Sequence, residues 1–398
     1  MNTSKARAAM PAAAPAGTLL LLMALTGLGQ MATNLVVPSL GRMVSDLALG
    51  LESAGLILSA VLAGLGIGQL VVGPLSDRHG RRPVLLAGLA LYVLAGIGAA
   101  MAETGAGMLL ARLLQGIGAS AGLALPRAIA RDRFQGPLFL RVTALLTLAL
   151  AVMPGLAPVI GSAVAGRFGW RASLALSAVA GAAVLLAVLL RLPESHHERG
   201  AQGGMAAVLA GYRRVLGNLP FLAQAIASGA AIGGAYAEVA GAQALYQGVL
   251  GWGAGSVSLA TAAYALGFLA GGLGAPRLKL SPGQRLRLGV LLMVAGAGGL
   301  LALGALGWLS GGAAVALVAL SQMGVGCMAP PAIGLALLAV EGAAGTASAV
   351  LGALHMAMGA LGAAVMGMLS GVVTLSLPAV MLGFALLALA MQAVGKGK

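Results

Sequence analysis

The sequence predicts an all-α integral membrane protein with twelve transmembrane helices in two six-helix halves. Three observations point there. Of 398 residues, 60% are hydrophobic and only 8% charged, too little charge to cover a soluble surface. Apolar windows of membrane-spanning length recur between short polar loops. The longest polar interruption, 192–218, leaves six windows on either side of it.

In chain order the expected spans are 17–40, 51–74, 84–102, 106–130, 141–166 and 171–191, then 219–245, 254–276, 286–308, 311–338, 346–371 and 374–394. The first half is thus 17–191, the central loop 192–218 and the second half 219–394. Residues 1–16 and 395–398 read as cytoplasmic tails. The first apolar run is too long, and too rich in polar residues, for a cleaved signal peptide. The 64 glycines suit close helix packing in lipid. Gly267–Arg277 echoes Gly64–Pro74 about 200 residues later, as a six-plus-six repeat would.

A net charge of +14 raises the question of nucleic acid, but its placement answers it. Of 23 lysines and arginines, only Arg42, Arg167 and Arg171 fall on one side; Arg112 and Arg127 lie within or at the end of a span. The rest occupy alternate loops and the termini, the positive-inside pattern with both termini cytoplasmic. The lone cysteine, Cys327, excludes an internal disulfide and reads as packing.

The polar turn from Gly68 to Arg82 carries the densest chemistry. Pro74 is expected to end its helix, and Gly73 and Gly80 to allow close approach and unusual backbone angles. Asp77 can accept from Arg78, Arg81 or Arg82. A plain stop-transfer loop would need only the bases. Arg112 lies inside a span, where a cation is costly and faces the bundle interior, unless it snorkels outward. Pro154 and Pro158, with Gly155 and Gly161, remove backbone hydrogen bonds along one small-residue face.

Of the nine acids, only Glu238 lies clearly within a span; a place inside the bundle and one near the outer water interface are both open. His355 can titrate, bind or hydrogen-bond between helices, the last being the simplest reading. Met153, Met323, Met328, Met356 and Met358 suit an adaptable pocket or ordinary packing. His196 and His197 are too sparse for a metal site. A membrane enzyme would need clustered catalytic groups, and a sensor an appended soluble domain.

The Gly68–Arg82 segment resembles the loop between spans 2 and 3 of the major facilitator superfamily. Arg112-Leu-Leu-Gln115-Gly116-Ile-Gly-Ala, Arg127-Ala-Ile-Ala-Arg131-Asp132, Pro154-Gly-Leu-Ala-Pro158-Val-Ile-Gly161, Leu192-Pro-Glu194 and Ala344-Gly-Thr-Ala-Ser348 are similar to its bicyclomycin/chloramphenicol-resistance (Bcr/CflA-type) drug:proton antiporters. The resemblance implies the major facilitator fold, and a latch on the cytoplasmic side built from Gly73, Asp77, Arg78, Gly80, Arg81 and Arg82. It also implies that Arg112 holds carbonyls and water near span 1 and tunes a proton site. The span 5 prolines and glycines would seal the halves against leak. Gln30, Asn34, Gln115, Met153, Tyr236, Gln243, Gln322 and Met356 are candidates to line the substrate cavity, and Arg112, Glu238 and His355 to couple protons.

One position departs from that pattern. These antiporters commonly carry an acid four residues before the span 1 proline, where this chain has Asn34, before Pro38. Asparagine cannot exchange a proton, so coupling falls to Glu238 or His355, or is weak. The expected function is export of small organic compounds by alternating access and proton antiport. The alternatives are export of an endogenous metabolite or weakly coupled facilitation. The expectation is a monomeric, non-enzymatic protein of the bacterial cytoplasmic membrane, with no cofactor and the proton gradient as energy source.

Overall fold

The computed structural model describes residues 16–50, 53–195, 205–340 and 344–394. Nearly all of the expected N-terminal tail, residues 196–204 of the central loop with His196 and His197, and the tail 395–398 lie outside the described residues. The described chain is helical throughout, without a strand. Helix α1 (Ala16–Asn34), a 3-10 turn (Val37–Ser39) and α2 (Leu40–Asp46) form the first span. The first half continues with α3 (Ser53–His79), α4 (Arg81–Ala100), α5 (Gly105–Arg133), α6 (Gly136–Phe168) and α7 (Trp170–Arg191). A linking helix, α8 (Met205–Leu216), leads to α9 (Leu219–Gln243), which ends in a π-helical turn (Ala244–Val249). The second half closes with α10 (Ala254–Gly274), α11 (Pro282–Ala305), α12 (Gly311–Leu338), α13 (Ala344–Met368) and α14 (Val373–Val394).

Eleven of these spans are long and apolar enough to cross a membrane, and α6, apolar over Val152–Phe168, is the twelfth. The count follows from local chemistry, because in lipid each segment must satisfy its own backbone. The two largest buried apolar clusters fall mainly one to each half. One gathers Leu22, Leu25, Leu58, Leu62, Leu85 and Tyr92 from the first half. The other gathers Tyr246, Val290, Leu300, Met328, Leu377 and Ala385 from the second.

The internal repeat is visible in matched glycine contacts. A Cβ on Gly64 of α3 would run into the Leu113 carbonyl of α5, and one on Gly267 of α10 into the Ala319 carbonyl of α12. Gly118 of α5 lies against Gly88 and Tyr92 of α4, and Gly324 of α12 against Gly289 and Met293 of α11. Each half therefore uses glycine to bring the same pairs of helices into backbone contact.

The halves meet along two seams, α3 on α13 and α6 on α10. On the first, Ser59 Oγ donates to the Ala360 carbonyl at 2.8 Å and Gly66 packs on Met356. On the second, Gly155 packs on Ala262 and Ala265. Helix α8 bridges the first seam. Val215 is fully buried against a cluster holding Phe221, Ala336 and Ala347, while the Tyr212 hydroxyl donates to the Leu70 carbonyl of α3 at 2.6 Å.

That last bond corrects the expectation for Pro74. The proline does not end its helix; α3 runs through it to His79, and the turn itself is only Gly80 (φ +97°). Lacking an N–H, Pro74 leaves the carbonyl four residues back, Leu70, without its helical partner. Tyr212 takes that place. The first expected span also stops too early, since the chain breaks after Asn34 near Pro38 and continues helical to Asp46.

Candidate functional site

Three polar constellations stand out in this apolar chain. The first is at the basic face, around the α3–α4 turn. Arg81, only 4% exposed, pairs with Asp77 one turn before it and with Asp132 at 3.1 Å, at the end of α5. It also donates to Ser76 Oγ at 2.6 Å. Glu194, in the loop after α7, caps the N-terminus of α4: its two oxygens accept the amides of Arg81 (3.0 Å) and Arg82 (3.2 Å). A carboxylate there serves orphan amides and the positive helix end together. The φ of Gly80 favours glycine, and a Cβ there would lie 2.5 Å from the Glu194 carboxylate and push on the cap. Arg82 donates to the Leu189 carbonyl (2.9 Å) and Arg133 to that of Pro193 (2.6 Å), binding α4 and α5 to the end of α7.

Asp77 itself is 62% exposed, and its ion pair stays within its own half. Of its three expected partners, Arg81 alone pairs with it among the described residues, and Arg78 is exposed. Gly73, expected at a close approach, faces open space instead.

The second constellation surrounds Arg112 on α5, which is fully buried and does not snorkel. It donates to the Ala32 carbonyl at 2.6 Å and to Gln115 Oε1 at 2.6 Å. Gln115 passes a hydrogen bond to Ser177 of α7, which also meets the Tyr92 hydroxyl. No carboxylate lies within ion-pair distance of Arg112 among the described residues. The break in the first span explains how the charge is tolerated. Ala32 is in the last turn of α1, where carbonyls lack helical partners and the helix end is negative. Gln115, expected in a substrate cavity, is therefore committed to Arg112 behind α1. Asn34 is buried, with its amide donating to Gln30 and Thr33 inside its own turn.

The proline face of α6 lies beside this break. Gly161 abuts the Leu35 carbonyl so closely that any Cβ would collide with it, and Pro158 is buried. Met153 of α6 packs on Gly27. Across the seam Tyr236 of α9 engages the Thr33 side chain and stacks on Gly359 of α13. Gln30, Met153, Tyr236 and Met356 are half-buried and Gln322 nearly fully buried.

The third constellation lies in the second half. Glu238 is 1% exposed, so its side chain is enclosed by protein. The hydroxyls of Tyr264 on α10 and Tyr246 in the π-helical turn are its polar neighbours. Glu238 Oε1 and both phenol oxygens are buried without a hydrogen-bond partner of ordinary geometry among the described residues. The two tyrosines carry no sequence signal beyond their apolar surroundings. Gln243, expected in the cavity, instead accepts the Gly41 amide at 2.7 Å and joins the halves at the face away from Asp77. His355 meets Ser228 Oγ at 2.9 Å and links α13 to α9.

A twelve-span helical membrane protein with glycine-matched halves and a capped Asp–Arg turn is the architecture of a polytopic carrier. The chain belongs to the Major Facilitator Superfamily, whose pattern matches residues 19–363. It is 34% identical over 234 residues to an uncharacterised MFS-type transporter, YdgK, of Bacillus subtilis, covering 58% of each chain. It is 31% identical over 203 residues to multidrug resistance protein D of Escherichia coli, covering 51% of each. By these matches the chain spans about half the length of the curated relatives it matches. In fold it is similar to a bacterial homologue of the lysosomal transporter Spinster, with TM-score 0.73 and 14% identity over 95% of both chains.

Proposed function

We propose that this chain is a secondary transporter that exports small, neutral organic compounds by alternating access, exchanging a proton at Glu238. The observation that carries the proposal is the isolation of that carboxyl. It is the only acid among the fully buried described residues, and no cation pairs with it. An acid within a span, enclosed by protein and with no cation beside it, is a functional group by default and the natural candidate to exchange a proton when the site opens.

The Bcr/CflA-type assignment rests on the motifs of α3, α5 and α6 and on the similarity to a protein named for multidrug resistance. The arginine-rich face is taken as cytoplasmic by the positive-inside rule, with both termini there and the protein acting as a monomer in the bacterial cytoplasmic membrane. On that orientation Gly41–Gln243 seals the outer side, and exposed Asp77 belongs to a latch not engaged with the other half. Asn34, whose amide is spent within its own turn, favours one second reading: a weakly coupled facilitator.

Everted vesicles energised by respiration test both. A susceptibility screen in an efflux-deficient host supplies the compound, and its addition is expected to release protons in the wild type but not in Glu238→Gln. Proton flux that survives Glu238→Gln places coupling elsewhere. Downhill transport unaffected by the gradient in both proteins supports the facilitator, and no change in susceptibility to any compound overturns drug export.

A further inference from the structure

Outside the machinery described above, a groove of about 1080 Å³ runs along the α3–α13 seam. Ala60, Ala63 and Gly66 of α3 and Ala353, Ala357 and Ala360 of α13 form its floor. On α3 the lining extends from Leu56 to Leu70, roughly 21 Å at 1.5 Å per residue, about two-thirds of the hydrocarbon thickness of a bilayer. Leu56, Ile67 and Leu70 are 39%, 51% and 37% exposed, so the described residues leave it uncovered.

The lining is almost wholly apolar. Its two hydroxyls are already committed, Ser59 to the Gly55 and Ala360 carbonyls and Tyr212 to that of Leu70. A polar solute would lose its own hydrogen bonds on entering, whereas an alkyl chain loses nothing. At the basic face Tyr212 and Leu216 of α8 line the end of the groove. Arg213 and Arg214, which follow Tyr212, are exposed and without an ion-pair partner among the described residues. Arg78 is exposed too and stands eleven residues, about three turns, beyond Ile67 on the same stripe of α3. Asp77, the acid at this end, is offset by Arg81.

We propose that this groove holds an acyl chain of an anionic phospholipid from the leaflet at the basic face, its phosphate met by Arg213, Arg214 and Arg78. Its floor is supplied by both halves, so the lipid is bound by this arrangement of the seam and released when the seam rearranges. The inference rests on the fold and does not depend on which compound is exported.

Native mass spectrometry of the full chain, titrated with phosphatidylglycerol and phosphatidylethanolamine, tests it. The wild type is expected to retain phosphatidylglycerol preferentially. Arg213→Gln with Arg214→Gln is expected to lower that retention about thirtyfold, taking the usual contribution of an arginine at an anionic surface, while phosphatidylethanolamine retention is unchanged. Ala357→Trp, at an exposed floor position, is expected to remove both lipids. Equal retention of the two lipids by the wild type overturns the proposal, and so does full retention by Ala357→Trp or a dimer peak that Ala357→Trp abolishes. If Ala357→Trp does not accumulate, the arginine pair decides: an unchanged preference in that variant refutes the site.

Discussion

Tyr212→Phe removes one oxygen and, on this structure, unties the linking helix from α3. Pro74 cannot supply the helical donor to the Leu70 carbonyl, and the Tyr212 hydroxyl donates to it instead. Deleting the hydroxyl leaves that acceptor unmade in apolar surroundings, a loss of about 1–2 kcal/mol. The decisive arm is the background. Pro74→Ala restores an N–H four residues after Leu70, so the helix can satisfy the carbonyl itself and Tyr212 becomes redundant. Reversible unfolding in mixed micelles of the wild type, both single variants and the double variant closes a double-mutant cycle. A coupling of about 1–2 kcal/mol is expected between the positions. Burial also pushes the Tyr212 phenol above its ordinary value of 10.0, so the group remains a donor at neutral pH. A raised folded value means the contribution is intact below the ordinary range and is lost only as pH climbs through the folded one. A cost for Tyr212→Phe that is the same in the wild-type and Pro74→Ala backgrounds refutes the reasoning, since the bond would then not answer the proline.

Other substitutions separate stability from cycling. Asp77→Asn is expected to change stability by at most about 1 kcal/mol, because the acid is mostly exposed, yet to abolish transport; wild-type efflux in vesicles would remove its latch role. Gly64→Ala and Gly267→Ala are each expected to cost about 2–3 kcal/mol, because the new Cβ meets a backbone carbonyl that cannot swing aside. Gly73→Ala, facing open space within α3, is expected to gain about 0.5–1 kcal/mol; thermal unfolding of the three checks the contrast. Gln243→Leu deletes the acceptor of the Gly41 amide and is expected to raise thiol labelling of a cysteine placed at Ser39, in a background with Cys327 replaced. Labelling equal to the wild type would show that this bond does not hold the face away from Asp77 closed.

Much of the candidate site could be read from residue types, but not how those residues are employed. Arg112 was legible as an interior cation because a charge within an apolar window has few tolerable positions. Its partner was not, since Ala32 offers only a backbone carbonyl, freed by a helix break that the residues before Pro38 do not advertise. Gln115 and Gln243 look equally suited to a cavity in sequence; one is spent on Arg112 and the other on Gly41. Glu238 was legible as an acid within a span, while its depth depended on how α9 packs against Tyr264 of α10 and folds into the π-helical turn that carries Tyr246.

By itself the sequence determined how many times the chain crosses the membrane and which loops are basic. Those properties are local: in lipid a segment must be apolar and satisfy its own hydrogen bonds, so its residues suffice to identify it. Only the tertiary structure decided which polar groups meet. Arg81 and the Asp132 carboxylate are 51 positions apart, Arg81 and the cap Glu194 113, Tyr212 and Leu70 142, and Gly41 and Gln243 202. Contacts at such separations depend on helix register and approach, and in this chain glycines against neighbouring backbones set both.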